Sequence, residues 1–275
     1  MATVLDPTRN FSLSYVILDS IFLVFFAVLL LVQKKKMTFL FSLAGGILYF
    51  LVDFLIFYLL TGSRVIYINN IETNTLNTAL ILFWMSVSYG FLDFAFIWLW
   101  LSKDKNASLY SAIIVIWWIC CPLISEFINT FSSQVTAIKT ARTTNKYHGV
   151  MGILMVVGCF IVIIMNMTRK YEKIPVVRLL VIGFMAQFLW EFILFIFGIR
   201  FGNNIVKIVN TILRDSLVET NLGMPYLYFI HKGLSKNLME TYQKQKCIRK
   251  LAKLNSLRVN IRKYILLDYF GCLPI

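Results

Sequence analysis

Seven acidic side chains fall inside stretches that otherwise read as membrane-spanning helix: Asp19, Asp53, Asp93, Glu126, Glu191, Asp215 and Glu219. A carboxylate in hydrocarbon is costly unless it is protonated, paired or hydrated, so an intramembrane acid reads first as a functional group. Arg214 is the one base clearly among them. Crowded carboxyls in a low dielectric hold protons that isolated ones release. Such a set can donate protons, and its remaining carboxylates, helped by the negative faces of aromatic rings, can stabilise a cation.

Spacing sharpens this. With a rise of about 1.5 Å per residue and an N terminus outside, Asp19, Asp53, Glu126 and Glu191 fall at similar outer depths in four different helices. Asp215 and Glu219 are spaced i to i+4, hence on one face of a further helix. Asp93 sits toward the inner side. Acid beside phenylalanine recurs at Asp53-Phe54, Asp93-Phe94, Glu126-Phe127 and Glu191-Phe192, usually with tyrosine or tryptophan within a turn, as at Tyr49 and Trp190. The similarity goes no further, so it defines no internal repeat.

The elements that must hold these acids follow from composition. A 275-residue chain that is 59% hydrophobic and 15% charged, with mean hydropathy +0.75, is too apolar for an ordinary soluble domain. About 20 helical residues cross a ~30 Å hydrocarbon core. Six runs qualify: Leu13 to Gln33, Met37 to Thr61, Leu76 to Leu101, Leu109 to Phe131, Gly149 to Met167 and Val176 to Ile199. A seventh, Val206 to Ile230, is more polar but long enough, with its polar face sheltered by the others. The expectation is an all-α, seven-transmembrane-helix bundle over residues 1–230 and a basic, amphipathic helical tail over 231–275. No cleavable leader is expected before the first span.

Lys34, Lys35, Lys36, Lys103, Lys105, Arg169, Lys170 and Lys173 all fall in loops on one side, joined by the basic tail. The Lys and Arg bias of short loops therefore predicts an N terminus outside and a C terminus in the cytoplasm. Lys139, Arg142 and Lys146 in the loop between spans four and five run against that count. The net charge of +14 is mostly this signal plus an attraction of the tail to anionic lipid heads; no nucleic-acid-binding module is recognisable.

Metal and cofactor chemistry is not expected. Five cysteines, two of them adjacent, show no metal-site spacing, and two histidines at span ends, His148 and His231, make no Cys/His cluster. No phosphate loop, nucleophile triad or histidine-rich pattern can be assembled, and no lysine occupies the middle of span seven. Gly45-Gly46 predict a close helix contact. Pro122 in span four and Gly223-Met224-Pro225 in span seven predict kinks.

Gln33 to Lys36 form a basic turn after span one, Tyr49-Phe50-Leu51-Val52-Asp53-Phe54 is an aromatic-rich acid motif in span two, and Val218-Glu219-Thr220-Asn221-Leu222-Gly223-Met224-Pro225-Tyr226-Leu227-Tyr228 carries a second acid in span seven, before His231 and Lys232. These segments resemble the seven-helix integral-membrane terpene cyclases of fungal meroterpenoid and indole-diterpene pathways. That family carries Trp-Glu at the first site and Asp at the second, where this chain has Val52-Asp53 and Glu219; its own Trp190-Glu191 lies in span six. The resemblance implies that Asp53 and Glu219 are the catalytic pair that protonates an isoprenoid-type, lipid-soluble substrate. Tyr49, Trp190, Glu191, Glu126, Asp215 and Tyr226 are then the expected substrate-binding residues.

Other readings stand beside this one. A proton-coupled transporter of a small cation or amine needs the same acids, and a sensory or scaffold role needs none of them as a site. Asp19 near a helix end faces headgroups in the simplest reading, Asp93 reaches Lys103 or Lys105, and Arg214 pairs with Asp215 to tether span seven.

Overall fold

The computed structural model describes residues 8–142, 148–168, 173–202 and 204–234. Six helices are long and apolar enough to cross a membrane: α1 Leu13–Val32, α2 starting at Lys36 and ending at Leu60, α3 Thr75–Leu101, α4 Ala107–Thr130, α5 His148–Met167 and α6 Val176–Ile196. A seventh, α7, begins as Ile205–Arg214, becomes π-helical over Asp215–Glu219 and continues as α-helix. Helix α2 changes in the same way, from α-helix over Lys36–Leu51 to π-helix over Val52–Leu60. Both π segments carry acids singled out above, Asp53 in one and Asp215 with Glu219 in the other. Wide turns of this kind are rare and cluster at functional sites.

Local capping sets where several helices begin. Ser12 accepts a bond from the Tyr15 amide at the start of α1, Asn74 from Asn77 before α3, and Asn204 from Val206 and Lys207 before α7. Helix α3 is the axis of the bundle, with 72% of its most apolar window buried against 11% for α5. Glycines let α2 come close to it. A Cβ built on Gly45 would lie 2.1 Å from the Phe94 ring, and one on Gly90 would lie 3.0 Å from the Gly46 Cα. The close contact expected at Gly45-Gly46 is therefore present. Outward faces stay apolar: Ile17, Ile21, Val24, Phe25 and Val28 are all exposed along α1.

The all-α expectation is corrected by a five-stranded antiparallel sheet at one end of the helices. Its strands are β1 Thr8–Ser12, β2 Arg64–Ile68, β3 Ile71–Glu72, β4 Ala137–Arg142 and β5 Arg200–Phe201, in the order β3-β2-β4-β1-β5. Strands β2 and β3 form a hairpin in which Ile68 faces Ile71 and the two linking residues, Asn69 and Asn70, have φ of 50° and 65°. Two successive positive φ angles match a type I′ turn, which asparagine tolerates. Alternation then places Arg9 and Phe11 of β1, Arg64 and Ile66 of β2, and Ile138 and Thr140 of β4 on the buried face. Register puts Arg64 opposite Arg142 and Arg9 opposite Arg200. Phe11 seats the sheet on the helices, with its ring 5.2 Å from Trp84 and 5.1 Å from Tyr15.

The chain divides into two compact units, Met1–Tyr228 and Phe229–Ile275. In the second, the described residues are 229–234, all helical. The expected amphipathic tail and most of its lipid-attracting basic residues lie outside the described residues.

Candidate functional site

Four arginines point from the sheet into the helices and meet four acids. The expectation that Arg214 alone accompanies the acids is thereby corrected. Arg64 donates to Asp53 Oδ2 at 2.7 Å, and that oxygen also accepts from Ser86 at 3.1 Å and Tyr89 at 2.9 Å. Arg142 bridges two acids, with Nη1 3.5 Å from Asp53 Oδ1 and Nη2 donating to Glu219 Oε2 at 2.5 Å. Arg9 donates to Glu191 and lies over the Trp190 ring at 4.8 Å. Arg200 reaches both Glu191 Oε2 at 3.3 Å and Asp215 Oδ2 at 3.2 Å.

The lattice is dry. Arg9, Arg64 and Arg200 are no more than 8% exposed, and Asp53 and Glu191 no more than 1%. Burial lowers the pKa of every guanidinium, but at Arg9 the charge and hydrogen bond of Glu191 together with Tyr89 outweigh it, and at Arg142 the charges of the surrounding acids, Glu219 and Asp53 foremost, do, so both rise. At Arg64 and Arg200 burial dominates and the pKa falls below its ordinary value. Arginine stays charged in either case. Four guanidinium charges thus face four carboxyl groups. Like charges facing each other across strands are destabilising on their own. The acids below Arg64 and Arg142 offset that repulsion.

Beneath the lattice lies a cavity of about 220 Å³ with Asp53, Glu219, Arg9 and Arg142 on its wall and Tyr49, Phe57, Tyr89 and Phe94 among its aromatic lining. That is room for a small organic group, or for about seven waters at ~30 Å³ each. Asp53 and Glu219 come from different helices, and each has one oxygen held by an arginine and another with no hydrogen-bond partner among the described residues, Asp53 Oδ1 and Glu219 Oε1. The Tyr89 ring stacks on Trp190 at 4.9 Å and lies 5.1 Å from Tyr49, so the aromatic wall continues behind the carboxylates.

Of the expected site residues, Asp53, Glu219 and Tyr49 line the cavity. Trp190 and Glu191 adjoin it through Arg9 and Tyr89, and Asp215 adjoins Glu219 at His148. Two do not join them. Glu126 is exposed on α4, and Tyr226, 38% exposed, donates to the Leu154 carbonyl. Three simpler expectations are also corrected. Asp19 is buried and accepts from Trp117 at 3.2 Å, rather than facing headgroups. Asp93 is fully buried with neither oxygen hydrogen-bonded among the described residues, while it is Asp104 that accepts from Lys35. Asp215 pairs with Arg200 and lies against His148.

Sequence reasoning missed Arg9, Arg64, Arg142 and Arg200. A signal existed for one: Arg64-Val65-Ile66-Tyr67-Ile68-Asn69-Asn70-Ile71 reads as a β-branched and aromatic strand running into a two-residue turn. The other three lie in short segments with little periodicity. The chain matches no protein-family model, no curated protein and no solved structure.

Proposed function

We propose that this chain is a seven-span membrane protein that carries out acid–base chemistry on a small lipid-soluble molecule, held in the chamber beneath the sheet. One observation carries the reading: Asp53 and Glu219, far apart in sequence, line one aromatic cavity and share Arg142 between them. Asp53, clamped by Arg64, is assigned the part of a fixed anion that steadies positive charge developing in the substrate, with the rings of Tyr49, Phe57 and Phe94 alongside. Glu219 is assigned the proton transfer, because its side chain is 17% exposed against 2% for Asp53 and its Oε1 accepts no hydrogen bond among the described residues. The resemblance to integral-membrane terpene cyclases points the same way and suggests an isoprenoid-type substrate.

The sheet is assigned to the outer face. Lys34, Lys35, Lys36, Lys103 and Lys105 lie in the α1–α2 and α3–α4 turns, on the side expected to be cytoplasmic. Arg142, which counted against that orientation, is used as a buried counter-ion, so its loop is less basic in effect than in sequence.

The test uses purified full-length protein with epoxidised and plain prenyl lipids, read by mass spectrometry. Cyclised product from wild type and none from Glu219→Gln is the expected result, with Asp53→Asn lowering turnover while lipid binding persists. Binding without turnover in wild type would refute the acid–base assignment.

A further inference from the structure

Beside the cavity, His148 at the start of α5 faces Asp215 and Glu219 on the π-helical turn of α7. Its Nε2 lies 3.4 Å from Asp215 Oδ1 and 3.7 Å from Glu219 Oε1. One ligand atom from each of the three residues falls within 4.8 Å of the others. The imidazole is 9% exposed and the Asp215 side chain 4%. Yet neither ring nitrogen makes a hydrogen bond among the described residues, and neither do Asp215 Oδ1 or Glu219 Oε1. One buried and two half-buried groups converge at ion-pair distance without a hydrogen bond among the described residues, and unsatisfied buried polar atoms call for an explanation.

We propose that His148, Asp215 and Glu219 bind a divalent transition-metal ion, zinc in the first instance. The two spacings from the imidazole to the carboxylates suit a ligand set, and the third atom pair lies within 4.8 Å. Zinc bonds to nitrogen and oxygen of about 2.0–2.1 Å put tetrahedral ligands about 3.3–3.4 Å apart, against the 3.4 and 3.7 Å found here. The carboxylates are also oriented from behind, since Arg200 holds Asp215 Oδ2 and Arg142 holds Glu219 Oε2, leaving the opposite oxygens turned to His148. Partners of this kind commonly fix a metal's ligands. One imidazole and two carboxylates suit zinc, iron, manganese or cobalt and are poorly matched to copper(I), which prefers sulfur.

Charge decides the fourth position. The arginines of the sheet already balance Asp53, Glu191, Asp215 and Glu219, so a divalent ion leaves the cluster positive and favours an anion, such as the hydroxide that zinc draws from its own water near neutral pH. Glu219 belongs both to this set and to the cavity wall. The inference does not rest on the acid–base proposal, and it gives Glu219 a different part: an ion held there would occupy the carboxyl to which that proposal assigns the proton transfer.

The experiment is metal content and affinity, with no lipid present. Full-length protein, freed of any affinity tag and stripped with chelator, is titrated with Zn²⁺ against a chromophoric chelator and separately with Co²⁺, whose visible absorption reports coordination. Expected is one equivalent bound by wild type, with affinity lost in His148→Ala by at least the ~10–100-fold that losing an outer-shell partner costs. His148→Cys, which keeps a ligand, should bind and shift the Co²⁺ spectrum through a sulfur charge-transfer band; it serves as the decisive variant if His148→Ala does not fold. Absence of stoichiometric binding in wild type, unchanged affinity in His148→Ala, or an unchanged cobalt spectrum in His148→Cys would each overturn the site. A failed lipid assay with one tightly bound zinc would count against the acid–base proposal alone.

Discussion

Replacing Arg64 by methionine removes the guanidinium that donates to Asp53 at 2.7 Å, in a pair whose side chains are both 2% exposed. Removing one partner of a buried ion pair costs about 3–5 kcal/mol, because the other charge is left uncompensated. Asp53 would retain Arg142 at 3.5 Å and the hydroxyls of Ser86 and Tyr89, which places Arg64→Met at the lower end, about 3 kcal/mol. Asp53→Leu strands Arg64 instead and belongs at the upper end, about 5 kcal/mol. In the double variant both charges are gone, and what remains is the loss of an acceptor for Ser86 and Tyr89, about 1 kcal/mol each. The pair of changes should therefore cost about 2 kcal/mol, less than either change alone, a coupling well above the ~0.5 kcal/mol seen between independent sites. Equilibrium unfolding of the four proteins in mixed micelles, followed by tryptophan fluorescence, measures this cycle. A double variant destabilised by the sum of its singles would show that the strand arginine and the helix carboxylate do not depend on each other, and the charge-matching argument would fall. Added salt should leave the coupling nearly unchanged, since buried pairs are weakly screened.

The glycine contact between α2 and α3 gives a graded test: Gly45→Ala drives a methyl into the Phe94 ring and should cost about 1–3 kcal/mol, whereas Gly46→Ala, with 3.2 Å to the Val87 Cα, should cost less in the same unfolding assay. In the hairpin, Asn70→Gly should be neutral or stabilising, and Asn70→Ala should cost about 1–2 kcal/mol for a positive φ that alanine resists. At Asp104, burial raises the carboxyl pKa, but the hydrogen bonds from Lys35 and from the Asn106 amide hold it below the ordinary value. A lowered folded pKa means stability that is present above the unfolded value of about 3.9 and lost as pH falls through the folded one; Asp104→Asn should flatten that acid limb in thermal melts at low pH, and an unchanged limb would contradict the pairing. Glu126→Gln, on an exposed position, should leave unfolding, metal binding and any lipid turnover at wild-type values.

Helix positions were legible because length and hydropathy suffice for them, and the six apolar runs read from sequence correspond to α1 through α6 within a few residues at most ends. Position along the helices was legible for Asp53 and Glu219, which line one cavity. Rotation about each helix axis was not. On α4 the buried residues Tyr110, Ile114, Trp118, Cys121 and Ser125 mark the inward stripe, and Glu126 is one residue, about 100°, away from it. On α1 the stripe runs through Tyr15, Asp19, Phe22, Phe26 and Leu30, which carries Asp19 inward. Amphipathic patterning usually separates such faces, but here the outward residues are as apolar as the inward ones, so composition does not say which way an acid turns. The sheet escaped for a different reason. Its strands are two to six residues long and borrow their partners from remote loops, leaving each too little periodicity to stand out.

That remote borrowing orders events during biosynthesis. Arg64 follows Asp53 by eleven residues and Asp215 follows Arg200 by fifteen, so these acids meet a cation almost as soon as their own helix leaves the ribosome. Arg9 waits 182 residues for Glu191, and Arg142 waits 77 for Glu219. The first strand made pairs on one side with β4 and on the other with β5, beyond the sixth helix. A nascent chain halted before Arg200 would hold Asp53 and Arg64 as a pair while its N-terminal strand lacked one edge, so completion of the sheet reports that the last helices have arrived.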